Sequence, residues 1–185
     1  MTIQAAYALA EASLAEWIPL RWRHVRSVHT RARQVGRMLT RGERRILEQS
    51  ALLHDIGYSP FVAESGFHPL DGARYLQLSE FSNRVVNLVA NHSCARIEAR
   101  LRKIGDLQTF PDEATATRDA LWYCDATTGP SGESLTPDER WAEVRRRYGP
   151  DHLVSRFLDE AEPELRAAIY RTRERMLSAG LVQSM

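Results

Sequence analysis

Residues 52–57 read Leu52-Leu53-His54-Asp55-Ile56-Gly57. An apolar run ends in an imidazole and a carboxylate side by side, and a glycine follows. Together the two side chains can offer a nitrogen and an oxygen to one hard or borderline cation. Buried without partners, both would be costly. Just upstream, Thr40 and Glu43 have the spacing of a capping box. The helix they open carries Ile46, Ser50, Leu53 and His54 on its inner face, and Gly57 and Pro60 end it.

The helical period extends in both directions. Residues 4–17 are rich in Ala and Leu and stop before Pro19. Residues 20–39 place Val25, Val28, Ala32, Val35 and Leu39 on one stripe. Downstream, proline suits the first position of a helix, so His68-Pro69 predicts a helix with His68 at its N-cap. Phe81, Val85, Leu88 and His92 share one face of the next helix. Ile97 and Leu101 lie on a short helix, and Pro111 is expected to open another with Ala114, Thr117, Leu121 and Asp125 in line. Thr127–Gly132 reads as a loop. Thr136, Pro137 and Glu139 start a helix that carries Trp141, Val144 and Tyr148 inward and stops at Gly149-Pro150. The last helix is expected to begin near Pro163 and to carry Leu165, Ile169 and Met176. No repeat, linker or strand pattern interrupts the series. The expectation is one all-α domain, a helical bundle spanning residues 1–185, of about seven to nine helices.

Composition agrees with such a domain. The chain has 185 residues, 43% of them hydrophobic and 26% charged, enough for one compact core. A formal net charge of +1 argues against binding extended nucleic acid. Arg21, Arg23, Arg26, Arg31, Arg33 and Arg37 crowd one segment, either as a solvated helix face or as a lure for an anionic substrate. Cys94 and Cys124 are too few for a disulfide framework and read as reduced core thiols of a cytoplasmic protein. No run approaches membrane-spanning length, and Glu11 and Glu16 argue against a signal peptide.

His54, His92 and Asp125 each sit in a core-facing register of a different helix. One such histidine usually finds a backbone partner. Three metal-competent groups ending three apolar stripes are better explained by a shared cation. On the preceding helix, His24 lies roughly 60° and His29 roughly 80° from the centre of the apolar stripe, at about 100° per residue. Periodicity leaves that choice open. His152, after Pro150, reads as a surface turn residue.

Arg21-Trp22-Arg23-His24 with Val28, then His54-Asp55, then Asp125 resembles the HD-domain metal-dependent phosphohydrolases. The resemblance covers about residues 20–128, leaving a C-terminal helical extension over about 129–185, and it selects His24 over His29. A subset of that family adds two histidines between the dipeptide and the last aspartate and holds two metals bridged by the dipeptide's aspartate. His68 and His92 stand at the corresponding places. The implied ligand set is therefore His24, His54, Asp55, His68, His92 and Asp125. The implied cofactors are two divalent ions, iron or manganese, with zinc, cobalt, nickel or magnesium also compatible.

The resemblance implies hydrolysis of a small phosphorylated molecule, a nucleotide or another phosphate ester. Asp55 would be the central catalytic carboxylate, with Arg21 and Tyr58 as candidate substrate contacts. Many family members have lysine soon after the dipeptide and one branch has glutamate; here the position is Tyr58. That difference argues against the commonest family substrates. Two other readings use the same residues: a di-iron oxygenase of the same fold, and a non-catalytic nucleotide-sensing module. Trp141, Tyr148, Phe157 and Tyr170 in the extension could pack the core, close the pocket or form the surface of a homodimer. No membrane partner is expected.

Overall fold

Helix α3 (Arg41–Leu53) organises the molecule. Every residue from Leu47 to Leu53 is buried, so this helix meets neighbours on all sides. The computed structural model describes residues 1–183. Around α3 pack α1 (Ile3–Leu14), α2 (Pro19–Val35), α5 (Asn83–Ala90) and α7 (Ala116–Ala126). The remaining helices are α4 (His68–Leu78), α6 (Ala95–Arg102), α8 (Pro137–Tyr148) and α9 (Leu153–Ser178). The fold is all-α and a single domain. Among the described residues there is no strand, only an isolated bridge between Thr128 and Ser134. None of the described helices is long and apolar enough to cross a membrane.

The apolar residues gather in two cores. One joins α1, α4 and α5 through Leu14, Leu70, Leu76 and Val89. The other joins α7, α8 and α9 through Leu121, Trp141, Phe157 and Leu165. Helices α2 and α3 contribute to both: Val25 and Leu53 to the first, Val28 and Leu47 to the second. Cys94 and Cys124 are buried free thiols, and burial pushes Cys94 up to about 12, which leaves it unreactive.

Local rules set most helix ends. Thr2, Thr40, Ser82, Thr115 and Thr136 each accept a backbone N–H at an N-cap. At Thr136 the full capping box with Glu139 forms. At Thr40 only half forms, because the Glu43 carboxylate turns to Arg84 and Thr117.

Four expectations need correction. The last helix begins at Leu153 and runs through Pro163. Its buried stripe of Phe157, Ala161, Leu165, Ala168 and Thr172 crosses the proline, and that packing outweighs the lost backbone hydrogen bond. Helix α7 starts at Ala116 rather than at Pro111; Ala114 has φ +46° and lies outside it. Phe67, not His68, is the N-cap of α4, which makes His68 its first helical residue. His92 lies beyond the end of α5, in a tight turn over His92–Cys94 where Ser93 and Cys94 are left-handed.

One ion network ties α7 to α9. Asp119 is buried and accepts from Arg171 at 2.8 Å, Arg175 at 2.9 Å and Arg118 at 3.1 Å. Burial opposes its ionisation, but the three guanidinium groups outweigh burial and hold the carboxyl below its ordinary range. Asp119→Asn should cost about 3 kcal/mol at pH 7 by leaving cations uncompensated. That corresponds to a fall in Tm of roughly 6–12 °C for a chain of this size. A depressed folded-state pKa contributes stability above the unfolded value near 3.9, and loses it as pH falls through the folded value. The gap between variant and wild type in urea denaturation should therefore close below about pH 4. An equal gap at pH 7 and pH 3 would contradict the assignment.

Candidate metal centre

Six side chains from five places in the chain meet beyond the C-terminal end of α3. His54 and Asp55 follow its last turn. His24 comes from the middle of α2, His68 from the start of α4, His92 from the turn after α5, and Asp125 from the last turn of α7. The His24, His54 and Asp55 atoms form one compact group, and those of Asp55, His68 and His92 form a second. Asp55 belongs to both. Its Oδ2 lies 3.3 Å from His54 Nε2 and 3.7 Å from His24 Nε2. Its Oδ1 lies 3.4 Å from His68 Nε2 and 3.9 Å from His92 Nε2. Asp125 Oδ1 adjoins the first group, 3.1 Å from His24 Nε2 and 3.9 Å from His54 Nε2.

The backbone orients three of the imidazoles. His54 Nδ1 donates to the Ala51 carbonyl at 3.0 Å, and His92 Nδ1 donates to the Val89 carbonyl at 2.6 Å. Both acceptors are carbonyls three residues back, in the last turn of a helix, where intrahelical partners run out. His24 Nδ1 donates to the carbonyl of Gly129, in the loop after α7. A proton on Nδ1 leaves a lone pair on Nε2, and all three Nε2 atoms point into the cluster. Backbone carbonyls behind the rings are the usual support for metal-binding histidines.

The polar atoms left over fit a cation. His54 Nε2 is fully buried and has no hydrogen-bond partner. His68 Nε2 and His92 Nε2 face each other at 3.0 Å. A cation in each group, between imidazole nitrogens and the Asp55 carboxylate, would satisfy these atoms. Electrostatics agree. Burial opposes charge on Asp55 and Asp125, yet both are held well below the usual carboxylate range. Arg21 and His54 do this for Asp55, and His24 and His54 for Asp125. Burial also opposes protonation of His54, but Asp55 and Asp125 raise it to about 9, so that without an ion a proton takes the place on Nε2 that a cation would fill. Burial lowers His68 and His92.

Arg21 and Tyr58 stand at the rim. Arg21 donates to Asp55 Oδ2 at 2.8 Å and lies over the Tyr58 ring, 4.3 Å from its centroid. Tyr58 in turn stacks on the His68 ring at 4.0 Å. Of the other arginines in that segment, Arg23, Arg26, Arg33 and Arg37 are exposed, a solvated face. His29 lies apart from the cluster, 3.5 Å from Glu48.

Sequence reading missed several supports. Ser93 donates to Asp125 Oδ2 at 2.5 Å, from a left-handed position that no pattern announces. Asn91 holds the same turn by donating to the Phe110 carbonyl, while Trp122 donates to the Asn91 carbonyl. Asp71 accepts from the Glu64 and Ser65 amides and fixes the loop that leads to His68. His152 is the surface turn residue expected, and it also caps α9, stacks on Tyr148 at 4.8 Å and lines the cavity above the cluster. That cavity is about 280 Å³ and opens from the cluster to residues of α6 and α8.

These features define a helical-bundle protein with a buried carboxylate–imidazole centre able to hold divalent metal. The HD domain family model matches residues 21–162, most of the chain, and the chain belongs to that family. Its superfamily consists largely of metal-dependent phosphohydrolases. No curated protein and no solved structure matches the chain.

Proposed function

We propose that this protein hydrolyses a small phosphorylated molecule, a nucleotide or another phosphate ester, with two divalent ions. The ligands would be His24, His54, Asp55, His68, His92 and Asp125. The observation that carries this reading is the position of Asp55, whose two oxygens each face a different pair of histidines. A centre for one ion would not need the second pair. Iron or manganese suits this mix of nitrogen and oxygen donors. Such ions, when bound, neutralise phosphoryl oxygens and acidify water.

The chain's own residues supply the rest. Asp125, ionised and held by Ser93, is an acceptor able to orient a water molecule through a hydrogen bond. Arg21 has donors beyond the one spent on Asp55 and can bind a phosphoryl oxygen at the rim. Tyr58 carries a phenol hydroxyl, protonated at neutral pH, and is a donor at the rim. Asp55 and His92, at the inner end of the cavity, are buried, and charges there act more strongly than in bulk water.

Purified protein should contain about two metal ions per chain and release phosphate from members of a phosphoester panel. Chelator should abolish turnover, and manganese or iron should restore it. His68→Ala and His92→Ala should each reduce the metal content by about one, whereas His29→Ala should leave it unchanged. One ion per chain in the wild type, unaffected by either substitution, would refute the two-ion centre. Dioxygen consumption with no phosphate release would replace hydrolysis by oxygenase chemistry. Stabilisation by a nucleotide with no turnover at all would favour a sensing module.

A further inference from the structure

The cavity has a second wall that the ligand cluster does not require. Helix α8 presents Arg140, Trp141, Val144, Arg147 and Tyr148 to it, at helical spacings that put them on one face. Trp141 and Val144 are buried and anchor the helix. The two arginines flank them and share a single carboxylate. Arg140 donates to Glu143 at 2.6 Å and Arg147 donates to the same oxygen at 3.1 Å. Arg102, also on the cavity, is matched by Glu98 at 2.7 Å. Away from the cluster, then, three guanidinium groups are set against two carboxylates. The Arg140 side chain is only 14% exposed and lines the cavity. Tyr148 is held between the His152 ring and the Arg147 guanidinium, which keeps this wall in place.

We propose that this α8 wall is a subsite for a second anionic group, carboxylate or phosphate, on a compact phosphorylated substrate. The inference rests on the reading of the centre as one for a phosphorylated molecule, and it names the class of that molecule. A surplus guanidinium in a partly closed cavity favours a planar or tetrahedral anion that accepts two hydrogen bonds. Field focusing in the cleft adds to that preference. The cavity volume of about 280 Å³ lies at the lower edge of the range for small-molecule sites, so both anionic groups sit on a short skeleton.

Binding to the metal-containing protein is measured by calorimetry. The probes are phosphooxy carboxylates with one, two or three methylenes, the matching bisphosphates, and the matching neutral phosphooxy alcohols. At least one doubly anionic member should bind roughly tenfold more tightly than its neutral counterpart. Arg140→Gln combined with Arg147→Gln should abolish that preference without changing metal content. Glu143→Gln should increase it about threefold, a gain that a folding defect would not produce. Equal affinities across the series in the wild type would overturn the subsite, as would a preference that persists in the double variant. The readout does not depend on turnover. If the preference is present while no compound releases phosphate, the subsite stands and the hydrolase reading falls.

Discussion

Asp55→Ala is expected to strip the protein of metal and of activity while leaving its helices in place. Both ligand groups pass through this one carboxylate, so its loss opens both at once. Loss of a mere supporting partner of a metal ligand lowers affinity by about 10–100-fold, so removal of a shared ligand should lower it by more than about 100-fold. Asp55→Asn keeps the shape and removes the charge, and it should behave in the same way. Elemental analysis of the purified variants gives the metal content, and far-ultraviolet circular dichroism gives the helical content. Asp55 follows the end of α3 and its carboxylate accepts no backbone N–H there, so the helix does not depend on that side chain. A variant that retains two ions per chain would show that the centre lies elsewhere. One that unfolds would show that the charge balance around Arg21 is structural.

Gly57→Ala should lower stability and disturb the metal centre together. The turn after Asp55 packs against the first turns of α4, and Gly57 meets Gly72 there. A Cβ at position 57 would overlap the His68 carbonyl oxygen and stand 2.8 Å from the Gly72 nitrogen. Both obstacles are backbone, so no side chain can swing aside. Overpacking of this kind costs about 3 kcal/mol. The corresponding fall in Tm is roughly 6–12 °C. Because the obstructed atom belongs to His68, the second ligand group should be displaced as well, and metal content should fall toward one ion per chain. An alanine variant with wild-type Tm and metal content would mean that α4 yields without cost.

The HD family resemblance and the all-α fold were both legible in the residues, because hydrophobic period, capping residues and prolines act locally. Thr40 and Thr136 sit at the helix starts that their capping-box spacing announced. The expected helix number also holds, with nine α-helices among the described residues. Where local rules misled, long-range packing prevailed. Pro163 is carried inside α9 by the buried stripe on either side of it. Pro111 lies ahead of an irregular segment, in which Ala114 has φ +46°, rather than at a helix start.

His54-Asp55 announced a site, but its surroundings depend on atoms far apart in sequence. Periodicity alone left His24 and His29 undecided. The choice falls to the Gly129 carbonyl and Asp125, about a hundred residues away, which receive the His24 ring. The α8 wall was equally hidden. Arg140 and Arg147 look like ordinary solvated residues of an amphipathic helix, and they come to line the cavity only once Trp141 has docked α8 in the second core. Local chemistry in the chain determined which segments are helices and which residue types could bind a cation. Only the tertiary structure decided which lone pairs converge and which charges face the cavity, because those outcomes depend on distances between helices that no local pattern encodes.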